Sequence, residues 1–283
     1  MRRLDPDETL WFVLLLGYGL YMTFLLVSGD VRYFMHPRMF PFIAAAAGVF
    51  FLLAAVQTSC LFRSSDADRR RGRLWFVLFA LPLLLGMTVA PRGMHEETAM
   101  RKGMAYSGAR GEIASFLDPP EKRIGSPSMG GNGLMETGAS DILGDSDFDP
   151  DGFFTVDPMH FDRKLRLLEE SLSSLTGRKG RISGFVQRRD TLPAARFFVA
   201  RMLMVCCAAD ALVTGLLVEW PEGVALEPGA WVEAEGVLGS TEFFDDWLGR
   251  DVTVPFLKAE RVVPIAKPAN IYVYPSLPRS ILD

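Results

Sequence analysis

A membrane-embedded α-helical region of three transmembrane segments, followed by a small all-β, OB-like barrel, is the architecture this sequence predicts. Three observations predict it. Three uncharged apolar runs fall within the first ninety residues, and short apolar runs divided by glycine and proline fill the chain from Arg181 onward. The stretch between them follows neither pattern. The hydrophobic fraction of 49% is high for a soluble protein, and the excess lies in the first third of the 283 residues. The predicted domains are a transmembrane anchor over 1–91, a flexible extracytoplasmic linker over 92–157, and an amphipathic helix plus β domain over 158–283.

The first apolar run, Leu10 to Val27, has 18 residues without a charge, at the lower limit for spanning a bilayer. It has no small-residue cleavage site, which reads as a retained anchor, and Arg2 and Arg3 lack the rest of a twin-arginine signal. Met39 to Phe62 is longer, 24 residues, and Leu74 to Ala90 has 17, with Pro82 expected to kink it. Direction follows from the arginines. Arg63, Arg69, Arg70, Arg71 and Arg73 crowd the loop between the second and third runs, and Arg2 and Arg3 precede the first. Short loops rich in arginine stay in the cytoplasm, so the N-terminus is expected inside and everything after Pro91 outside the cytoplasmic membrane.

The first outer loop ends in His36-Pro37-Arg38, and Pro37 and Pro41 suit a first helical turn, where no amide donor is required. His36 and Arg38 have two readings, contact with lipid headgroups or lining a partner's entrance. Ala44 and Gly48 form a small-xxx-small pair that permits close helix approach. These four are the partner-facing candidates.

From Arg92 to about Ser146 the chain is rich in Gly, Ser, Met and Pro and reads as a mobile tether. Asp147, Asp149 and Asp151, with Gly152 next, match the first half of a calcium loop, in which alternating oxygens converge on a hard cation. The second half fails, because Pro158 stands where a bidentate glutamate belongs, and a solvated acidic linker is the plainer reading. Asp157 and Pro158 then resemble a helix cap and first helical residue. Phe161, Leu165, Leu168 and Leu172 follow at helical spacing, which predicts an amphipathic helix over 158–175.

Candidate strands in the β domain are Arg181–Gln187, Arg196–Cys207, Thr214–Trp220, Trp231–Leu238 and Val254–Val263. In the fourth, Val232, Ala234 and Leu238 alternate with Glu233 and Glu235. Five short strands without a long helix suggest a small closed barrel, most simply OB-like. Such barrels often bind nucleic acid, but residues 181–283 carry ten Lys/Arg against thirteen Asp/Glu, and the whole chain has a net charge of −4. Nucleic acid is therefore not an expected partner.

Two of the three cysteines are adjacent, in Val205-Cys206-Cys207-Ala208-Ala209-Asp210-Ala211. The predicted topology puts Cys60 at the cytoplasmic end of the second segment, out of reach of the pair. A disulfide between neighbours is strained, because alpha carbons about 3.8 Å apart lie below the usual disulfide range. On a regular strand Met202, Met204 and Cys206 would share one face and Cys207 the other. Soft sulfur ligands favour soft metals such as Cu(I) or zinc, with Asp210 and the two methionines as the near companions. Three readings stay open: core packing, contact with a metal or metalloid, and thiol redox chemistry. No cofactor is otherwise identified; a soft metal at the cysteines and calcium at the acidic loop are the candidate ions.

His36-Pro37-Arg38-Met39, Gly184-Phe185-Val186, Arg201 followed by the double-cysteine block, Trp231-Val232 and Tyr272-Val273-Tyr274-Pro275 occur here in one order. The chain thereby resembles the YcgQ-like family of bacterial proteins, regarded as subunits of two-component permeases. The resemblance covers about two thirds of the chain, and the double-cysteine block is its most specific part. It implies a multi-spanning permease partner, usually encoded alongside, of a class similar to organoarsenical-type permeases. It supplies neither a substrate nor catalytic residues. The long linker and the third membrane segment are departures from the family's shorter members.

The functional expectation is a non-catalytic accessory subunit of a membrane permease, its outer domain gating or presenting substrate. The rival is an envelope thiol oxidoreductase or metal-binding protein using Cys206 and Cys207. A Cys-x-x-Cys at a helix start would have favoured the redox rival, and it is absent, as are a Ser-His-Asp set, a nucleotide loop and a zinc-protease motif.

Overall fold

The structure, a computed structural model, describes residues 6–59, 73–88, 143–144, 147–245 and 249–275. Two compact units divide the chain: Met1–Gly93 with Cys206–Ala208, and Met94–Val205 with Ala209–Asp283.

In the first unit, uninterrupted apolar sequence gives α1 (Pro6–Ser28), α2 (Phe40–Thr58) and α3 (Arg73–Thr88). Two stretches, Glu8–Ser28 and Pro37–Thr58, are long and apolar enough to cross a membrane. α3 has 16 residues with Pro82 inside it, short of the roughly 20 a span requires. The predicted run continues to Ala90, and its last residues, like Cys60 and the arginines from Arg63 to Arg71, lie outside the described residues. Small residues set the helix spacing. A Cβ on Gly17 would come 2.9 Å from Leu83, and one on Gly19 would come 3.0 Å from Phe51. Tyrosines secure α3 to α1, Tyr18 Oη donating to Phe79 O at 2.6 Å and Tyr21 Oη to Gly86 O at 2.9 Å. The buried alanines of α2 are Ala47 and Ala54. Ala44 and Gly48 are exposed, and a Cβ on Gly48 would meet nothing within 4 Å.

Among the described residues of the second unit, seven strands form one sheet: β1 (Phe154–Val156), β2 (Lys179–Gln187), β3 (Arg196–Leu203), β4 (Leu212–Glu219), β5 (Trp231–Asp245), β6 (Arg250–Pro264) and β7 (Tyr272–Val273). The order is β1-β2-β5-β6-β4-β3-β7, and β2 also pairs with β3. The central five strands therefore form a ring of pairings, β2-β3-β4-β6-β5 and back to β2. All are antiparallel except β4 with β6. The expected alternation on β5 holds: Val232, Ala234 and Leu238 are buried, while Glu233 and Glu235 are half-exposed.

Three sequence expectations change here. β3 ends at Leu203 rather than Cys207. The helix expected over 158–175 is two helices, α4 (Phe161–Glu170) and α5 (Leu172–Leu175), divided at Ser171, whose φ of −111° and ψ of 26° leave the helical region. Asp157 does cap, its Oδ1 accepting from Met159 N and His160 N at 2.9 and 3.0 Å, but four residues ahead of the regular helix. Finally, residues 147–157, read as the end of the tether, belong with the β domain: β1 runs parallel to β2, with Phe154 opposite Gly180. Phe154, Phe161, Leu165 and Leu168 are buried in one core with Ile182, Val186, Val218 and Leu257.

Candidate functional site

The double-cysteine block is the connection from β3 to β4, and local chemistry shapes it. The last ladder pair is Leu203 with Leu212. Beyond it Met204 N donates to Val273 O at 2.9 Å, and Val205 N donates instead to Asp210 Oδ1 at 3.1 Å. A side-chain carboxylate thus takes a backbone donor that another rung would have used, a substitution that short acidic side chains make readily. The chain bends at Val205 and Cys206 and passes through one 3-10 turn, Ala208–Asp210, into β4. Met204 and Ala211, at the two ends of the loop, are both fully buried.

This bend overturns the strand-based placement of the sulfurs. Cys206 is exposed and Cys207 half-buried, both as thiols. Their sulfurs and an Asp210 carboxylate oxygen all lie within 4.8 Å of one another. Met202 and Met204 are fully buried, so the methionines belong to the core and do not share the environment of Cys206. The physical reason is the early end of β3, after which strict alternation of faces no longer applies.

Within the first unit, Met35 and Cys207 form an antiparallel bridge. His36 N donates to Cys206 O at 3.0 Å, and Ala208 N donates to Phe34 O at 2.8 Å. The His36 ring is occupied locally: Nδ1 accepts from Arg38 N at 3.0 Å and caps the 3-10 turn Pro37–Met39. Arg38 is exposed. Pro37 and Pro41 stand in first helical turns, as their sequence positions predict.

Among the described residues the acidic loop does not gather its three carboxylates into one group. Asp147 is buried against Lys164, whose Nζ donates to its Oδ1 and its carbonyl oxygen, both at 2.8 Å. Burial pushes the Asp147 carboxyl up. The Lys164 hydrogen bond, the Gly144 N–H and the charges of Lys164 and Arg163 together outweigh that and hold it below the ordinary carboxylate value. Asp149 accepts from Phe153 N at 2.8 Å, from Thr155 Oγ1 at 3.0 Å and from Arg181 at 2.9 Å. Asp151 is exposed. Two of the three acids thus already have protein cations, and they fasten the loop to α4 and β2.

Sequence reasoning gave Arg201 no structural role. It is buried, its Nε donating to Ser183 O at 2.9 Å and its NH2 to Ser183 Oγ at 3.2 Å. The guanidinium lies 5.0 Å from the Trp231 ring, which meets Phe185 edge-on at 5.9 Å. Burial lowers its pKa to about 10, which leaves it charged at neutral pH. An arginine in the middle of the otherwise apolar run Phe197–Met204 is the signal that could have found it. Gly184-Phe185, Arg201 and Trp231, spread over three strands in sequence, meet here.

Fold and site define a class: a helical region with two membrane-length helices, carrying a β-sheet domain with an exposed vicinal-cysteine loop. Residues 10–105 match the DUF1980 N-terminal domain and residues 146–275 match the DUF1980 C-terminal domain. It is also 31% identical, over 98 residues, to UPF0703 protein YcgQ of Bacillus subtilis (strain 168). That alignment covers 35% of this chain and 33% of the relative, so the chain spans about a third of the length of the curated relative it matches. The two domains and this relative together support the YcgQ-like family.

Proposed function

We propose that this protein is a non-catalytic accessory subunit of a membrane permease. Its helices dock on a multi-spanning partner, and its β domain, outside the cytoplasm, gates or presents substrate, with a soft metal or metalloid as the class its thiols suit. The observation that carries this reading is the uncovered apolar surface of the helices. Only 11% of each membrane-length window is buried within the chain, so the remainder requires lipid or another protein. Exposed Ala44 and Gly48 on α2 offer a face for close helix approach. α3 acts as the third crossing, and the arginine-rich loop before it holds the N-terminus inside. The β domain is an OB-like barrel: its ring order and its one parallel closing pair, β4 with β6, support that assignment.

Affinity purification from native membranes in mild detergent tests the subunit role. The expected result is recovery of a multi-spanning membrane protein in fixed ratio to this chain. Recovery of the chain alone, together with turnover of a thiol substrate by it, would favour the oxidoreductase reading. Topology is tested separately, in a background lacking Cys60, Cys206 and Cys207. There Ser126→Cys is expected to react with an impermeant thiol reagent in intact cells, and labelling only after lysis overturns the orientation.

A further inference from the structure

We propose that Cys206, Cys207 and Asp210 form a three-ligand site for a thiophilic divalent cation of the zinc and cadmium type. Two thiolate sulfurs and one carboxylate oxygen bind the ion, and a fourth position stays open to an exchangeable ligand. The proposal rests on the subunit reading only for the use made of the ion, not for the chemistry.

The geometry is close to what such an ion requires. With metal–sulfur bonds of about 2.3 Å and metal–oxygen bonds of about 2.0–2.2 Å, tetrahedral ligand atoms stand roughly 3.5–3.8 Å apart. The three ligand atoms here already lie within 4.8 Å of one another. The remaining difference of about 1 Å is within the reach of χ1 adjustment inside a rotamer well.

The loop that brings them together is also held. Its ends are fixed by the buried side chains of Met204 and Ala211, and the Asp210 carboxylate is oriented by Val205 N. On a regular strand two adjacent thiols point to opposite faces and bind no common ion. The bend after Leu203 removes that obstacle.

Ligand chemistry selects the ion. Paired thiolates prefer soft and borderline cations and disfavour calcium or magnesium, which take oxygen ligands. Binding releases the two thiol protons to solvent and involves no electron transfer, since zinc and cadmium stay divalent. Two thiolates and a carboxylate around a dication leave one net negative charge. Structural zinc sites are closed by four protein ligands, whereas three ligands leave the fourth position open. The exposure of Cys206 gives the ion a route in from solvent, as a site that hands its ion on requires.

The test uses the full chain in detergent with a non-thiol reductant, in a Cys60→Ala background so that only the pair contributes sulfur. Cadmium is the probe, read by its sulfur-to-metal charge-transfer absorption, and zinc is added in competition. The expected result is one cadmium per chain with the absorption of two thiolates, displaced by zinc. Cys206→Ala and Cys207→Ala should each retain at most one thiolate's absorption and lose at least about 100-fold in affinity, since even changes outside the ligand shell cost 10–100-fold. Asp210→Asn keeps an oxygen able to accept from Val205 N but loses the charge; it should keep the two-thiolate absorption while binding at least about tenfold more weakly. Far-ultraviolet circular dichroism confirms that each variant is folded, and Cys→Ser versions repeat the measurement without the small cavity that alanine leaves. Cadmium binding that survives loss of both cysteines, or an absorption worth one thiolate in the parent, overturns the site. Unchanged affinity in Asp210→Asn overturns the three-ligand arrangement. Because no partner is present, these results stand apart from the purification test of the subunit role.

Discussion

Gly236→Ala is expected to cost the β domain its fold. A Cβ at this position would stand 2.0 Å from the carbonyl oxygen of Lys258, and at Gly184 and Gly215 it would stand 2.3 Å from the carbonyl oxygens of Ala200 and Val199. In each case the obstacle is backbone, which cannot rotate away as a side chain does. Ordinary core overpacking costs about 1–3 kcal/mol, and these substitutions should exceed that range. The positions lie where the ring of strands turns. β2 leaves β5 for β3 around Gly184, β4 pairs on both edges near Gly215, and the β5–β6 register shifts between Glu235 and Gly236. Thermal unfolding of the full chain by circular dichroism checks this, with Gly48→Ala, which meets nothing, as the control. A melting temperature for Gly236→Ala within a few degrees of the parent would refute the close approach of these strands.

Lys164→Met should be the next most damaging change, by about 3–5 kcal/mol, because it takes the near cation from a buried carboxylate and leaves only the half-exposed Arg163, 3.8 Å away. The Lys164 and Asp147 side chains are 7% and 4% exposed, and the ammonium also lies 5.1 Å from the Phe154 ring centre. Replacing both partners, as Lys164→Met with Asp147→Leu, should recover much of the loss, since a well-packed apolar pair often matches a buried ion pair. The pH dependence has a definite sign. The Asp147 carboxyl titrates below the ordinary carboxylate value in the folded protein. Its contribution is therefore complete above about pH 4 and is lost as pH falls through the lower folded value. Without Lys164, most of what offsets burial is gone, only Gly144 N–H and Arg163 remain, and the loss begins at higher pH. Melting curves from pH 3 to 7 on the parent and the two variants decide it. A single variant within about 1 kcal/mol of the parent would show that the pair contributes little.

Much of the architecture follows from local pattern. Unbroken apolar sequence makes α1 and α2 long enough to cross a bilayer, and Pro37 and Pro41 start helical turns where their missing donors cost nothing. Strict alternation over Trp231–Leu238 places Val232 and Ala234 inside. The first three apolar positions of the amphipathic helix, Phe161, Leu165 and Leu168, are all buried, with Asp162, Lys164 and Leu167 beside them. Such properties depend on neighbours a few residues away, so the sequence carries them openly.

What the sequence could not show depends on contacts between distant segments. β1 is three residues long and too short for a periodic signal, and it exists because Phe154–Val156 finds the free edge of β2. The acids of the 147–151 loop resemble cation ligands until Lys164 and Arg181, 17 and 32 residues further on, arrive as their counter-charges. The double cysteine is the sharpest case. Its residues alone read as the end of a strand with sulfurs on opposite faces. After the last rungs of β3, Leu203 with Leu212 and Met204 N on Val273 O, the Asp210 carboxylate captures Val205 N and the strand ends. The sequence determined that two thiols and an acid lie within five residues. The tertiary structure decided that they converge, because Val205 N, satisfied by the Asp210 carboxylate, leaves the strand ladder and the loop bends.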